Sequence, residues 1–261
     1  MPDEISLAPR KTFRKRLRAV WKHSLFNPYF LDHQLLWKGI AAEAPAMRGK
    51  MLDVGCGDRP YASLFTSIEH YYGVEHPGAV MNVEDALRVS FKRLNGIVDA
   101  FGDAQEIPFA NEIFDSCLCT EVLEHVPEPM VVLKEIRRIL KPGGRVLLTV
   151  PFAVELHQTP YDFWRFTPFG LQQLFKSAGF EVERISPRGN FPTVAGAIAS
   201  RAIYRLGARE IRRDGAVSLH WFAKPFVWIG CAATQGIAKF IGSFSKDDGF
   251  VNGYVIVAKR I

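Results

Sequence analysis

The chain has 261 residues, of which 48% are hydrophobic and 23% are charged, and its formal net charge is +6. This apolar content is sufficient for one packed α/β domain with an appendage. The four cysteines have no paired spacing, which excludes a cysteine-based metal site and indicates buried thiols in a reduced compartment. No apolar core follows the N-terminal basic run, so we expect no cleavable signal peptide and a cytoplasmic protein.

Residues 1–49 are predicted to form a basic helical segment. Its basic side chains crowd the N-terminus: Arg10, Lys11, Arg14, Lys15, Arg16, Arg18 and Lys22. The apolar Phe13, Leu17 and Trp21 lie between and beside them at helical spacing, which favours an amphipathic helix on an anionic lipid surface or on the domain itself. A solvated tail and a nucleic-acid contact are the alternatives.

A glycine-rich turn follows the first predicted strand. The apolar run 51–54 contains Asp53 and predicts a buried strand, and Gly55 and Gly57 let the backbone turn sharply and approach a ligand. A dinucleotide fingerprint requires a third glycine at the position where this chain has Pro60. Proline suits the start of a helix, so we predict a helix from Pro60 and a nucleotide-like cofactor other than NAD.

The second and third predicted strands each end next to a carboxylate. Residues 71–75 form an aromatic and β-branched run that ends at Glu75, about 20 residues after the glycine turn. That spacing is typical of an acid that accepts hydrogen bonds from two ribose hydroxyls, so Glu75 is predicted as the ribose ligand. Asp103 follows the strand predicted at 96–101 and could accept a hydrogen bond from an exocyclic amine such as that of adenine.

The chain then alternates between strands and helices. A strand is predicted at 114–120, an amphipathic helix at 130–140 and a strand at 145–150, with the Lys-Pro-Gly-Gly sequence at 141–144 ending the helix. Such alternation predicts a parallel sheet that is covered on both faces, and therefore a doubly wound α/β fold.

Five motifs give the chain a resemblance to class I S-adenosylmethionine-dependent methyltransferases over about residues 50–188 and the last strand. They are Leu52 to Gly57, Glu75, Asp103-Ala104, Phe114-Asp115 with Glu121 to His125, and Leu140 to Gly144. The resemblance implies a seven-stranded Rossmann-like sheet with an antiparallel last strand, in which residues 180–185 and 253–258 are strands six and seven. The methyltransferase domain is then expected at 50–261, with a helical insertion at 187–252 before the last strand.

The same resemblance implies that S-adenosylmethionine is the cofactor. The residues assigned to it lie in the glycine turn or at strand ends: Asp53, Gly55, Cys56, Gly57, Glu75, Asp103, Ala104 and Glu121. Arg59 stands where the family usually has glycine, a change that leaves cofactor binding in place and alters what approaches the methionine end.

Transfer of a methyl group to a hydroxyl requires mainly alignment, exclusion of water and a base that takes the proton. We predict His157 as the catalytic base, with His125 as a second candidate; either imidazole could instead hold its loop. The acceptor is assigned to charged and aromatic side chains: Arg59, Tyr61, Tyr161, Asp162 and Arg165. The alternative is that the aromatic segment only packs the helix after Thr167.

A metal-dependent mechanism is an alternative for the same residues. Glu121, Glu124 and His125, with His157, resemble an arrangement that holds a divalent metal in some methyltransferases of quinone precursors or RNA ends. The same Glu-Val-Leu-Glu-His-Val string occurs in many family members without a metal, so no metal ligand is assigned.

The insertion is rich in arginine in its first half and apolar in its second half. In the second half, several residues recur at intervals that place them along one side of a helix: Trp221, Lys224, Trp228, Gln235 and Lys239. The uncharged stretch 225–238 is too short to span a bilayer, which requires about 20 residues. We expect peripheral contact with an anionic membrane surface, a homodimer face or a lid over the acceptor.

The expected function is O-methylation of a sugar-containing or lipid-linked small molecule. Arg59-Pro60-Tyr61 and residues 157–167 resemble a subgroup of the family associated with surface glycans and lipid-linked sugars. The alternatives are a quinone-precursor or lipid O- or C-methyltransferase, an RNA methyltransferase and a noncatalytic cofactor-binding scaffold. Expected partners are a small-molecule or lipid-linked glycan acceptor, the inner face of the membrane and a second copy of the chain, with nucleic acid less favoured.

Overall fold

The chain divides into two compact units. The sheet unit comprises Leu35–Phe191 and Lys246–Ile261, and the helical unit comprises Met1–Gln34 and Pro192–Ser245. The structure is a computed structural model and describes residues 21, 23–78, 98–211 and 217–261. The predicted basic cluster of the N-terminus therefore lies outside the described residues, as do the first residues of the third predicted strand.

The described residues form nine β-strands. In chain order they are β1 (Gly49–Val54), β2 (Ile68–Glu75), β3 (Ala100–Phe101), β4 (Phe114–Thr120), β5 (Leu140–Pro151), β6 (Phe180–Arg188), β7 (Ala208–Ile211), β8 (Val217–Leu219) and β9 (Gly253–Arg260). The α-helices with described bounds are α1 (Phe30–Glu43), α2 (Pro129–Ile139), α3 (Pro168–Ser177), α4 (Phe191–Leu206) and α5 (Lys224–Gly242). Single 3-10 turns lie at Ala44–Ala46, Ala62–Leu64 and Leu123–His125.

Seven of the described strands form one sheet, in the order β3-β2-β1-β4-β5-β9-β6. The strands β1 to β5 pair in parallel, whereas β9 runs antiparallel to both β5 and β6. The prediction of a doubly wound, Rossmann-like sheet of seven strands with an antiparallel last strand is confirmed.

Both faces of the sheet are buried because its central strands alternate their side chains between two core clusters. Leu52 of β1 packs in the cluster that includes α2 and α3, and Met51 packs in the cluster that includes α1. Successive side chains of a strand point to opposite faces, so an uninterrupted apolar run supplies core residues on each side. The four cysteines are buried and free, as predicted.

The Lys-Pro-Gly-Gly sequence after α2 lies inside a strand and does not form a separate loop. β5 starts at Leu140, earlier than the predicted residue 145. Phe114 pairs with Leu140 and Ser116 pairs with Arg145, so the residues between these two pairs bulge out of the ladder with β4. Gly143 permits the bulge because its φ of 77° lies in the left-handed region.

The connection from β1 to β2 contains less helix than predicted. Instead of a helix from Pro60 it has the single 3-10 turn Ala62–Leu64, and β2 begins at Ile68. Gly49 at the start of β1 pairs with Ile68, so the chain returns along the whole of β1 within a short connection. A helix rises only about 1.5 Å per residue, and too few residues remain after the glycine turn for one of that length.

In the helical unit, α4 and α5 approach each other closely, and β7 and β8 form an antiparallel pair. A methyl group on Gly196 of α4 would lie 2.2 Å from the Cβ of Ala238 of α5. Gln235 of α5 is fully buried, accepts a hydrogen bond from the amide of Leu31 (3.1 Å) and donates one to the carbonyl of Asn27 (2.9 Å). Gln235 therefore lies on the inner side of α5.

The described part of the predicted insertion consists mainly of α4, the β7–β8 pair and α5. None of the described helices combines the length and the apolar character that crossing a membrane requires. The predicted domain boundaries at residues 49 and 50 and the predicted insertion limits at 187 and 252 stay predictions.

Candidate active site

The carboxyl ends of the parallel strands bring the predicted site residues to one edge of the sheet. The glycine turn follows β1, Glu75 ends β2, and Glu121 follows β4. The strand order reverses between β1 and β4, because the chain moves outward from β1 to β2 and β3 and then returns to β4. Crevices at such reversal points are the usual ligand sites of open α/β sheets.

The two glycines of the turn have different tasks. Both have positive φ angles, 71° at Gly55 and 51° at Gly57, which favour glycine. A Cβ on Gly55 would lie 2.4 Å from the side chain of Val122, so this glycine allows close packing. A Cβ on Gly57 would have no described atom within 4 Å, so the space beside this backbone is open to a ligand.

Glu75 joins the end of β2 to the glycine turn. Its side chain is buried, and Oε2 accepts a hydrogen bond from the amide of Gly57 (2.7 Å) while Oε1 accepts one from the amide of His76 (3.0 Å). A carboxylate oxygen has two lone pairs, so each oxygen keeps one for a further donor. The geometry suits recognition of a pair of hydroxyls.

Asp53 is a buried acid with one unpaired oxygen. The hydroxyl of Tyr71 donates a hydrogen bond of 2.5 Å to Oδ2, whereas Oδ1 has no hydrogen-bond partner among the described residues. Burial raises the pKa of Asp53 to about 7, although the Tyr71 hydrogen bond and the charge of Arg59 act in the opposite direction. A positively charged ligand would favour the ionised form of this side chain.

Arg59 adopts the left-handed backbone conformation that glycine usually occupies, with φ at 51°. Its guanidinium group donates to the carboxylate of Asp99 and to the carbonyl of Tyr71 (3.4 Å), and it lies 5.4 Å from the centre of the Tyr71 ring. The side chain is therefore held against β2. The predicted contact of Arg59 with the acceptor stays a prediction, and the sequence patterns missed Asp99 as its partner.

Of the other predicted cofactor ligands, Asp103 and Ala104 follow β3, whereas Cys56 belongs to the glycine turn after β1. Asp103 accepts a hydrogen bond from the amide of Gln105 (2.8 Å), and its side chain is partly exposed, so it can also receive a ligand donor. Ala104 packs against the core cluster beside it. The Cys56 side chain is buried, which raises the pKa of its thiol to about 12, so only the backbone of Cys56 is available to a ligand.

These features fit a cofactor that has a ribose, an adenine and a cationic tail. The open space beside Gly57 admits a ligand against the backbone, and Glu75 presents two oxygens to a diol. The buried unpaired oxygen of Asp53 matches a positive charge. S-adenosylmethionine has all three parts, so the residues present fit this group.

Two imidazoles lie side by side after β4 and β5. The ring centres of His125 and His157 are 4.8 Å apart and the rings are nearly perpendicular. Nδ1 of His125 lies 2.8 Å from the carbonyl oxygen of Tyr161, and Nδ1 of His157 lies 3.2 Å from that of Glu155. We assign the ring protons to these nitrogens, because a carbonyl only accepts, and Nε2 then carries the lone pair in both rings.

Both Nε2 atoms approach the carboxylate of Glu124. The distances to its Oε1 are 3.5 Å from His125 and 3.9 Å from His157. Glu124 is fully buried, and neither of its oxygens has a hydrogen-bond partner in the described part of the chain. Burial, with a contribution from the charge of Glu121, holds the pKa of Glu124 well above its usual range.

The predicted acceptor residues Asp162 and Arg165 bind each other. Arg165 donates two hydrogen bonds of 2.6 and 2.8 Å to the Asp162 carboxylate and lowers the pKa of Asp162 to about 2. Asp162 also accepts from the amide of His157 (3.0 Å). This ion pair therefore holds the loop that carries His157, whereas the ring of Tyr161 is half exposed.

Glu121 is engaged by residues that the sequence patterns missed. Its Oε1 accepts hydrogen bonds from the hydroxyl of Thr149 (2.9 Å) and from the buried guanidinium of Arg188 (2.8 Å). The predicted acceptor residue Tyr61 is half-buried, with its ring centre 5.9 Å from that of Trp37. Burial raises the pKa of the Tyr61 phenol, and the nearby charge of Glu121 adds to this effect.

The central part of this chain is similar in sequence to known proteins. Residues 52–148 match the protein family described as "Methyltransferase domain". An "uncharacterized methyltransferase" of Mycolicibacterium vanbaalenii is 36% identical over 115 residues, which cover 44% of this chain and 43% of that protein. Another, from Mycolicibacterium gilvum, is 38% identical over 158 residues, which cover 55% of this chain and 59% of that protein. The matches thus span about half the length of these relatives.

A solved structure shares the fold over most of the chain. The S-adenosylmethionine-dependent methyltransferase from Mesorhizobium loti superposes with a TM-score of 0.53 over 88% of this chain and 100% of that chain, at 12% sequence identity. This likeness concerns the fold, and the family match concerns the segment that forms the glycine turn, Glu75 and the end of β4. Residues 52–148 thus match a methyltransferase domain, their sheet has the fold of methyltransferases, and S-adenosylmethionine is the cofactor that this match implies.

Proposed function

We propose that the protein transfers a methyl group from S-adenosylmethionine to a hydroxyl group of a small-molecule acceptor. The observation that carries the proposal is the pair of imidazoles, His125 and His157, at the same sheet edge as the glycine turn and Glu75. A hydroxyl acceptor needs a proton acceptor beside the methyl donor, and histidine titrates in the range that suits this task.

The chain's own residues would bind and orient the cofactor. Glu75 would accept hydrogen bonds from the ribose hydroxyls and Asp103 one from the adenine amine, and the open space beside Gly57 would let the ligand lie close to the backbone. Asp53, in its ionised form, would complement the charge of the cationic tail. The bound cofactor supplies a methyl group on a good leaving group, so the protein has mainly to align the acceptor and exclude water.

His157 is the proposed base. With Nδ1–H donated to the carbonyl of Glu155, its Nε2 lone pair is free to accept the acceptor's hydroxyl proton. The His157 side chain is 32% exposed, whereas Nε2 of His125 is buried, so an acceptor reaches His157 more easily. The Asp162–Arg165 pair would keep the His157 loop in place.

The test is release of S-adenosylhomocysteine with glycolipids and polyprenyl-linked sugars as acceptors. His157→Gln is expected to lower this rate by about 10²- to 10⁴-fold, because general-base catalysis contributes that much. His70→Gln changes an exposed histidine of β2 and is the matched control. Undiminished turnover in His157→Gln would remove His157 as the base, and no turnover of any acceptor by the wild type would contradict the proposed reaction.

The acceptor is proposed to be a sugar-containing or lipid-linked molecule. Tyr161, Phe163 and Trp164 follow His157 in the chain, and each exposes between 42% and 51% of its surface. Partly exposed aromatic rings offer flat apolar walls to a bound sugar ring or lipid chain. A lipid-linked acceptor would also be consistent with an exposed apolar surface on the helical unit, because such a surface can contact a membrane.

We call this surface the apolar stripe. It consists of side chains that are each more than half exposed: Phe226, Ile229, Ile237, Phe240 and Ile241 of α5, with Trp221 and Phe222 before the helix and Phe244 after it. The buried side chains of α5, such as Val227 and Cys231, belong to its other side. An exposed apolar surface of this extent is typical of contact with a membrane or another protein.

The charge around the apolar stripe favours an anionic lipid surface. Residues 215–246 contain no aspartate or glutamate, but they contain Lys224, Lys239 and Lys246. Two copies of such a surface would bring like charges together, whereas anionic headgroups would neutralise them. Contact with the membrane would also bring a lipid-linked acceptor within reach of the protein.

Replacing Phe226 and Phe240 with glutamate is expected to lower co-sedimentation with phosphatidylglycerol vesicles by at least about tenfold. Each change removes apolar area from the contact and adds a charge that the vesicles repel. Phe169→Glu, at an exposed phenylalanine of the sheet unit, is the control and should bind like the wild type. If the wild type binds no vesicles and the double variant turns a dimer into a monomer, the apolar stripe is a homodimer face.

Other acceptors remain as outcomes of the turnover assay. Turnover only with a quinone precursor or a simple lipid would favour the O- or C-methyltransferase alternative. Turnover with RNA, together with strongly salt-dependent RNA binding, would favour the RNA alternative that the basic N-terminus suggests. Cofactor binding without turnover of any acceptor would favour a noncatalytic scaffold.

A further inference from the structure

We propose that Arg59 and Tyr71 are positioning residues for the cofactor: Arg59 holds Tyr71 in place, and Tyr71 aims the carboxylate of Asp53 at the cationic part of S-adenosylmethionine. The starting observation is the backbone of Arg59, whose φ of 51° lies in the left-handed region. Side chains other than glycine are disfavoured there, so an arginine persists only if its side-chain contacts compensate the strain. The residues of this proposal all lie in the sheet unit.

The guanidinium group of Arg59 is fixed by an ion pair and by an aromatic ring. Nη2 donates to the carboxylate of Asp99, and Nη1 donates to the carbonyl of Tyr71 (3.4 Å). The guanidinium carbon lies over the Tyr71 ring, 5.4 Å from its centre, which is a distance at which a cation is attracted to an aromatic face. Asp99 is itself anchored to β2, because it accepts from the amide of Gly73 (2.7 Å) and its own amide donates to the Gly73 carbonyl (2.9 Å).

A missing side chain on β2 makes room for this arrangement. A Cβ on Gly73 would lie 3.0 Å from both Nε and Nη2 of Arg59, and 2.6 Å from Sγ of Cys56. Packed interiors do not tolerate contacts this short, so a larger residue at position 73 would displace the guanidinium. Gly73 pairs with Asp53 in the ladder between β1 and β2. The guanidinium is therefore held one strand away from Asp53.

Tyr71 connects this placement to Asp53. Its hydroxyl donates a hydrogen bond of 2.5 Å to Oδ2 of Asp53, and its ring packs beside Phe65 with the ring centres 6.2 Å apart. Asp53 is almost fully buried, and Oδ1 has no hydrogen-bond partner in the described part of the chain. A buried carboxylate oxygen without a partner is costly unless a ligand compensates it. With Oδ2 held by Tyr71, Oδ1 is the atom left for the ligand.

Arg59 supplies positive charge to the surroundings of Asp53. The described ionisable groups around Asp53 come from the glycine turn and the residues after it, from β2 and from β4: Cys56, Arg59, Tyr61, Tyr71, Glu75, Cys117 and Cys119. Burial raises the pKa of Asp53 to about 7, whereas the Tyr71 hydrogen bond and the charge of Arg59 act to lower it. Loss of either contact would favour the neutral acid, which binds a cation less well.

The test is calorimetric titration of the full chain with S-adenosylmethionine at pH 6 and at pH 8, without an acceptor. Tyr71→Phe removes only the hydroxyl, and Arg59→Gly removes the charge while supplying the residue that suits the left-handed backbone. We expect each change to raise the pKa of Asp53 by about one. Because the ionised acid is the form that favours the cation, affinity should fall about tenfold at pH 6 and only about twofold at pH 8.

Tyr72→Phe is the matched control. It removes the hydroxyl of the next tyrosine of β2, whose ring packs in the other core cluster beside Phe114. This variant should bind the cofactor like the wild type at both pH values. The double variant Arg59→Gly with Tyr71→Phe should lose less affinity than the product of the two single effects, because Arg59 acts partly through Tyr71.

An affinity like that of the wild type in Tyr71→Phe or in Arg59→Gly would overturn the proposal. A loss of equal size at pH 6 and pH 8 would also overturn it, because a merely structural disturbance does not depend on the charge of Asp53. Fully multiplicative effects in the double variant would remove the step from Arg59 to Tyr71. Unchanged cofactor binding by Arg59→Gly with lost turnover would instead support the predicted contact of Arg59 with the acceptor.

The proposal rests on the part of the proposed function that assigns Asp53 to the cofactor, and not on the acceptor or the base. The titrations contain no acceptor. Failure of the proposed methyl transfer is therefore seen in the turnover assay alone, whereas failure of the positioning role is seen in the pH dependence of cofactor affinity.

Discussion

Replacing Glu75 with alanine is expected to weaken binding of S-adenosylmethionine by at least about a hundredfold. The variant loses two hydrogen bonds from the ribose hydroxyls to a carboxylate, each worth about 1.5–3 kcal/mol, and 1.4 kcal/mol corresponds to a factor of about ten. The carboxylate is already fixed by the amides of Gly57 and His76, at 2.7 and 3.0 Å, before a ligand arrives. Little ordering of this side chain is then needed on binding.

Two further variants isolate the contribution of Glu75. Glu75→Gln keeps an acceptor oxygen for the Gly57 amide but removes the charge, and we expect about tenfold weaker binding. Glu69→Ala changes an exposed glutamate of the same strand and should leave the affinity unchanged. Affinities are measured by calorimetry, and equal values for Glu75→Ala and the wild type would exclude Glu75 from the cofactor site.

The second large effect is the dependence of stability on pH through Asp53. Burial raises the pKa of this carboxyl from 3.8 to about 7 in the folded protein. A difference of roughly three between the pKa of Asp53 in the folded state and in the unfolded state corresponds to about 4 kcal/mol in the free energy of unfolding. The group is almost fully buried, so solvent screens this effect little.

The sign follows from which state holds the proton more tightly. Because the folded pKa of Asp53 is the higher one, its contribution to stability is fully present below about pH 4 and is lost as the pH rises through about 7. Asp53→Asn keeps an oxygen for the Tyr71 hydroxyl. We therefore expect this variant to raise the free energy of unfolding of the cofactor-free protein at pH 8, and to change it little near pH 4.

Urea unfolding of both proteins across this pH range measures the effect. A difference between wild type and Asp53→Asn that does not change with pH would contradict the assigned pKa. Cofactor binding supplies a second measurement, because a cationic ligand favours the ionised acid. The affinity of the wild type for S-adenosylmethionine should rise with pH up to about 7, and Asp53→Asn should lose this dependence.

The order of strands and helices could be predicted because each pattern is local. The apolar run at 145–150 and the helical spacing at 130–140 define their elements without reference to distant residues. The short turn after Pro60 and the bulge at Gly143 could not be predicted in the same way. They depend on how β1 pairs with β2 and how β4 pairs with β5, which are contacts between distant parts of the chain.

The same distinction applies to the candidate site. Glu75 and the glycine turn lie at strand ends with a regular spacing, so the sequence indicates their shared edge. The partner of Arg59 is Asp99, 40 residues away, and the partner of Glu121 is Arg188, 67 residues away. No periodicity encodes such pairs, because they depend on which strands are neighbours. The functional roles of these residues stay predictions.

Titration of the full chain with S-adenosylmethionine, with NAD as the comparison ligand, tests the cofactor assignment most directly. We predict one site per chain for S-adenosylmethionine, no binding of NAD, and a large loss of affinity in both Glu75→Ala and Asp53→Ala. Absence of binding by the wild type, or unchanged affinity in both variants, would contradict the assignment.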